Sequence, residues 1–293
     1  MSHFFTRALA ALLILALLPA GGLCAVEEPV EKTSVALPGY ESETLSIQIT
    51  QHNWTYKKHA LAFYVVHATV SEPEQLRAAF ARDMYHKTYT EDTRSIAERN
   101  GAILAVNGDY YNHKNDIGVI IRNGELYRDR KCSRDLLWID REGALHVILK
   151  SEREGEQGAS LLEQGAVQAF EFGPALVRDG VALDLPESYF LSMNDDIREP
   201  RTAIGWVDGL HYVFVVADGR RSGWSDKGMT LLELQSVLAS EGCQVGYNLD
   251  GGGSATLYFN GEVINQPSGG SQRKVSDIVL LREGLEPTQP TKE

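Results

Sequence analysis

Short apolar runs separated by Asn-Gly and Asp-Gly pairs fill the middle of this 293-residue chain, and that punctuation limits its fold more than any other feature. Gly118 to Arg122 and Glu125 to Tyr127 flank Asn123-Gly124. Thr202 to Trp206 and His211 to Ala217 flank Asp208-Gly209, and Ala255 to Phe259 and Glu262 to Ile264 flank Asn260-Gly261. Such pairs accept the positive φ of tight hairpin turns. Ala175 to Val177 and Val181 to Leu183 flank Arg178-Asp179-Gly180, and Leu136 to Ile139 and Ala144 to Leu149 flank a further turn. Serial hairpins exclude a doubly wound parallel sheet. The expected class is α+β, with a mixed, largely antiparallel, hairpin-rich sheet and a few flanking helices.

The remaining elements follow from periodicity and end signals. Alternation at Leu45, Ile47 and Ile49 predicts a strand, as do the apolar run Ala60 to Thr69, the run Ala102 to Val106, Gln244 to Leu249, and Asp277 to Leu281. Ser71-Glu72-Pro73-Glu74 reads as a capping box opening a helix through about Arg82, and a second helix is expected over Glu91 to Arg99, stopped by Asn100-Gly101. The clearest helix is Leu231 to Glu241, with Thr230 and Glu233 as capping box and Gly242 as stop. Ser151 to Gln164 is polar and reads as a surface excursion.

The N-terminus carries one cation, Arg7, then the uncharged run Ala8 to Leu18, then Pro19 and small residues through Ala25. This is the layout of a secretory signal peptide, so residues 1–25 are expected to be removed and the protein exported or secreted, with no membrane attachment after cleavage. Residues 26–95 read as an N-terminal linker, strands and helix packed on the catalytic domain, residues 96–283 as that domain, and residues 284–293 as a disordered tail. Within the first stretch, Glu27 to Tyr40 is polar, contains Pro29 and Pro38, and reads as the linker. The net charge of −12 argues against nucleic acid and anionic membranes as partners. Cys132 and Cys243 are left either as one disulfide or as two buried thiols.

Four motifs that carry chemistry stand where strands end: Asn107-Gly108-Asp109-Tyr110-Tyr111-Asn112, Pro200-Arg201-Thr202-Ala203-Ile204-Gly205, Ala217-Asp218-Gly219-Arg220, and Asn248-Leu249-Asp250-Gly251-Gly252-Gly253-Ser254. Three successive glycines exceed what a turn needs, and they let backbone N–H groups approach an anion; a flexible hairpin turn is the plain alternative. Arg201 and Arg220 suit bidentate contact with phosphate, although a single such Arg is more often a surface residue. Asp109, Asp218 and Asp250 each sit in a Gly-containing turn. Singly they are turn residues; together they can serve as acid, base, nucleophile or metal ligands. Glu233 is a possible functional carboxylate whose capping role already explains it. His67 and His211 read as strand residues, and His86 and His113 as residues of a cleft rim.

In order and spacing these motifs, with Gly228 to Leu234 and Asn265-Gln266-Pro267-Ser268, resemble the phosphodiester glycosidase family over roughly Ile96 to Leu281. The resemblance implies a hydrolase acting on a sugar whose anomeric carbon is esterified to a phosphate diester, with a sugar-phosphate or glycan as partner. On that reading Asp250, Asp109 and Asp218 are the catalytic candidates. Arg201, Arg220, Asn107, Asn248, Gly251, Gly252, Gly253 and Ser254 bind substrate and phosphate. No cofactor is required, and a divalent cation at the aspartates stays open. Two other classes remain: a carbohydrate-binding or exopolysaccharide-assembly protein without turnover, and a metal-dependent phosphodiesterase.

Overall fold

The computed structural model describes residues 28–110, 117–155, 157–185, 198–220 and 227–284. The signal-peptide reading, Tyr111, Asn112 and His113, and residues 285–293 of the tail lie outside them. Among the described residues eighteen strands form three sheets, and every strand pairing is antiparallel. The fold is therefore sheet-dominated, with three short α-helices among the described residues.

The large sheet begins with β1 (Glu31–Glu41), β2 (Leu45–Thr55) and β3 (Ala60–Val70). It continues through β14 (His211–Ala217), β13 (Arg201–Asp208), β15 (Val245–Asn248), β11 (Ala175–Arg178) and β12 (Val181–Ala182). Its two faces are both covered, which is why β14 reads as a continuous apolar run. Helix α3 (Leu231–Ser240) packs Leu231, Leu234, Val237 and Leu238 against Val65, Val213 and Val215 on one face. The other face carries Ile47, Val66, Phe214 and Tyr247 into the main core. The second sheet runs β17 (Glu262–Val263), β16 (Leu257–Phe259), β5 (Leu104–Asn107), β18 (Asp277–Leu281) and β4 (Leu76–Phe80). The third runs β7 (Glu125–Arg128), β6 (Ile120–Arg122), β10 (Gln168–Phe170), β8 (Leu136–Ile139) and β9 (Leu145–Ile148). The hairpin turns formed as expected, with Asn123, Gly124, Asp179, Gly180, Asn260 and Gly261 all at positive φ.

Three expectations are corrected. The stretch taken as a linker is β1, an exposed edge strand held by its ladder to β2, from Glu31 opposite Thr55 to Glu41 opposite Ser46. Most of its side chains face water, with only Leu37 and Tyr40 half-buried, so no alternating burial pattern marked it as a strand. The helix expected through Arg82 is a 3-10 turn, Pro73–Gln75, followed by β4 and a second 3-10 turn, Ala81–Asp83. The Gln75 amide ties the first turn to the carbonyls of Thr44 and Arg282, and pairing with β18 holds β4 extended. The polar excursion contains α2 (Gly158–Glu163), whose first amides are accepted by the Asp129 carboxylate. Helix α1 (Thr93–Arg99), capped by Asp92, and α3, with its Thr230–Glu233 capping box, formed where expected. Cys132 and Cys243 are free and buried; burial pushes the Cys243 thiol up to about 12. Among the described residues no helix is long and apolar enough to cross a membrane.

Candidate active site

Strand register brings the four motifs together. Arg201 pairs with Ala217, which puts the start of β13 beside the exit of β14; Ala203 pairs with Asn248, which puts the exit of β15 on the other side. The second sheet joins at the same end. The Asn107 amide donates to the Asp250 carbonyl, its oxygen accepts from Thr202 Oγ1 at 2.7 Å, and the Asp250 N–H donates to the Gly108 carbonyl. Asn107 is thus a brace, 1% exposed, that locks the Asp250 loop to two sheets.

Asp250 is the centre of the arrangement. Its carboxylate accepts from Arg273 Nη2 at 2.9 Å. The same guanidinium donates to Ser254 Oγ and to the Gly251 carbonyl. Burial raises the Asp250 pKa; the hydroxyl of Ser254 and the Arg273 charge oppose that, and the Asp109 charge adds to it. The glycines have geometric reasons. A Cβ on Gly251 would stand 2.6 Å from the Pro200 carbonyl, and Gly252 has φ of +59° with the Arg220 guanidinium against it. Arg220, itself at φ 58°, pairs through Nε with Glu199 and lies in the field of Asp250. Arg201 is buried, its Nε on the Met229 carbonyl, and desolvation lowers its pKa to about 10, so it stays a cation at neutral pH.

Beneath this layer lies a buried charged network that sequence reasoning did not single out. Asp109 accepts from the Glu171 N–H at 2.8 Å, and its own N–H donates to Asp277 at 2.8 Å. Arg122, 1% exposed and stacked 3.9 Å over Phe170, pairs with Asp277 at 2.6 Å and lies 3.8 Å from Asp109. Burial raises the Asp277 pKa to about 6, against the pull of Arg122. Glu171 is raised by burial as well, despite its ion pair with Arg153. Gly108 fits because a Cβ there would strike the Asp277 carboxylate at 2.5 Å.

Other candidates are engaged in structural hydrogen bonds. Asp218 accepts from Asn265 Nδ2 at 3.0 Å and from the Gln266 N–H at 2.9 Å, so it supports the loop that follows β17. Asn248 donates to the Gly173 carbonyl. Glu233 caps α3 and holds Arg198 through two 2.8 Å bonds, along with the Tyr56 hydroxyl, so the capping reading accounts for it. His67 and His211 are strand residues as read, hydrogen-bonded to each other at 3.0 Å beside Glu241. Among the described residues no three His, Cys, Asp or Glu side chains stand where they would hold one metal ion. Arg273, Asp277, Arg122 and Glu171 were missed because nothing local marks them. Arg273 is an ordinary Arg six residues beyond Pro267, and only the returning loop brings it to Asp250.

A carboxylate beside cations and a side-chain-free glycine turn has the charge and the room to hold an anionic ester, and sequence similarity places the chain in a family. Residues 100–282 match the sequence profile of the family described as phosphodiester glycosidase. The chain belongs to that family. The SPbeta prophage-derived uncharacterized protein YomE of Bacillus subtilis is 28% identical over 200 residues, covering 66% of this chain and 30% of that protein. The mouse N-acetylglucosamine-1-phosphodiester alpha-N-acetylglucosaminidase is 26% identical over 209 residues, covering 66% of this chain and 39% of that one. The matched region therefore spans well under half the length of these relatives. The zebrafish catalytic domain of the same enzyme, auto-inhibited by its pro-peptide, shares the fold with a TM-score of 0.67 at 20% identity, covering 87% of this chain and 89% of that one.

Proposed function

We propose that this protein is an exported hydrolase that cleaves the bond between a sugar's anomeric carbon and the oxygen of a phosphate diester, giving free sugar and a phosphomonoester. Membership in the phosphodiester glycosidase family supports a hydrolase of this kind. The observation that carries the reading further is the pairing of Asp250 with cations on two sides, Arg273 bonded to it and Arg220 in its field.

The chemistry follows from charge. Glycosidic cleavage builds positive charge at the anomeric carbon, and a carboxylate stabilises it. The leaving group is a phosphate anion, whose second pKa is near 6, so it departs without a strong general acid. It needs preorganised donors, which cost no reorganisation as charge develops. Arg220, Arg273 and the Gly253 amide take that role, the Gly252 N–H being bonded to the Pro200 carbonyl, and Arg201 adds positive charge. Asp250 and Asp109 are the carboxylates for attack or for activating water; the raised pKa of Asp250 suits an acid–base group. Asn107, Asn248 and Asp218 hold the loops that present them.

Hydrolysis of a sugar-1-phosphodiester in isotopically labelled water tests the reading. Early incorporation of heavy oxygen into the sugar is the expected result. Label in the phosphomonoester means attack at phosphorus, and binding without release of sugar means a carbohydrate-binding protein; either sinks the proposal.

A further inference from the structure

We propose that the free edge of β4 carries a second binding site, separate from the Asp250 centre, for a phosphate ester on a sugar ring. Arg77 and Arg282 line one polar pocket there, of about 200 Å³, with Asn100, Tyr127 and Phe80. Register explains their meeting. Arg77 stands opposite Leu280 on β18, and the Arg282 N–H donates to the Gln75 carbonyl, so the two arginines are diagonal neighbours on one face of the β4–β18 pair.

The electrostatics point to an anion. This chain has 40 Asp and Glu residues against 28 Lys and Arg, so a guanidinium has many carboxylates within its reach. Yet among the described residues neither guanidinium makes an ion pair or a hydrogen bond. Burial and the Arg282 charge both destabilise the cation at Arg77, and Glu74 offsets this only in part. The acid that lines the pocket, Asp83, is turned onto Arg99 at 2.5 Å and onto Asn100. Two like charges held together with only the partial offset of Glu74 are poised for an incoming anion, and a tetrahedral oxyanion takes both forks.

The walls suit a sugar. Phe80 and Tyr127 stand edge to face at 4.8 Å, which gives the pocket an aromatic side. The strand edge itself is closed to a peptide, because the Asn123 side chain both accepts from the Ala78 N–H and donates to the Ala78 carbonyl at 2.8 Å. Arg77 and Arg282 stand at the Leu281 end of β18 and Asp277 at the other, so the inference stands or falls apart from the catalytic reading.

Calorimetric titration of the purified protein with N-acetylglucosamine 6-phosphate, inorganic phosphate and N-acetylglucosamine tests it, in wild type, Arg77→Gln, Arg282→Gln and Arg220→Ala. The expected result is a phosphosugar site that weakens at least tenfold in Arg77→Gln and Arg282→Gln and persists in Arg220→Ala. Cleavage of a small sugar-1-phosphodiester should stay within twofold of wild type in both Gln variants. Arg282 follows the last strand, and its replacement relieves repulsion, so Arg282→Gln should melt no lower than wild type; the ligand should raise the Tm of wild type and not of this variant. Inorganic phosphate binding as tightly as the phosphosugar would support the same site with recognition in the anion alone. Unchanged phosphosugar binding in both Gln variants, or equal affinity for the neutral sugar, overturns the proposal.

Discussion

The Asp250 carboxylate and the Arg273 guanidinium are 2.9 Å apart, and the same guanidinium holds Ser254 and the Gly251 carbonyl. One side chain therefore sets both the charge of the candidate acid–base group and the shape of the glycine turn.

Arg273→Ala should lower kcat/KM by roughly two to three orders of magnitude, the range for loss of a preorganised charge at a reacting centre. The sign of its pH effect also follows. Removing the neighbouring cation raises the Asp250 pKa further, so the acidic limb of the kcat/KM profile should move to higher pH. Arg273→Lys should restore the limb and only part of the rate. An acidic limb that does not move in Arg273→Ala would show that Asp250 is not the titrating group.

Gly251→Ala and Gly252→Ala should separate stability from activity. The first drives a Cβ to 2.6 Å from the rigid Pro200 carbonyl and should cost several degrees in Tm. The second meets only the flexible Arg220 guanidinium at 3.2–3.3 Å and pays about 1 kcal/mol for its positive φ, so it should fold and lose turnover. Melting curves and kcat/KM on both variants decide the point.

Arg122 and Asp277 should show strong non-additivity. Removing one partner leaves a buried charge uncompensated, so Arg122→Met or Asp277→Leu alone should cost about 3–5 kcal/mol in urea unfolding. The double variant should recover much of that. The pH sign is fixed by the raised Asp277 pKa, about 6 folded against 3.8. Its contribution is fully present below pH 3.8 and is lost as pH rises through about 6. The double variant should lack that part of the decline in stability.

Glu233→Ala is the control. It removes the Glu233 half of the α3 capping box, leaves the Thr230 cap in place and strands Arg198 and Tyr56, so it should lower stability by about 2–4 kcal/mol and leave kcat/KM of the folded enzyme near wild type. A folded variant with a hundredfold loss in turnover would place Glu233 in the reaction.

Where a local signal met no competing strand pairing, the sequence by itself determined the result. Turn chemistry at Asn123-Gly124 and Asn260-Gly261, the capping box at Thr230 and the positive-φ demand at Gly252 depend on residues next to each other, and each formed as read. The convergence of Asn107, Arg201, Arg220 and Asp250 was legible for a related reason: each stands at a strand exit. Tertiary structure decided the rest. Strand β4 became a strand because β18 lies beside it, against a capping signal that local rules read as a helix. Strand β1 is held chiefly by its backbone ladder, with only Leu37 and Tyr40 packed against the core, which leaves little trace in side-chain pattern. Arg122, Glu171, Asp277 and Arg273 acquired their roles from burial and from partners 18 to 168 residues away, and neither desolvation nor such proximity is written in the neighbouring residues.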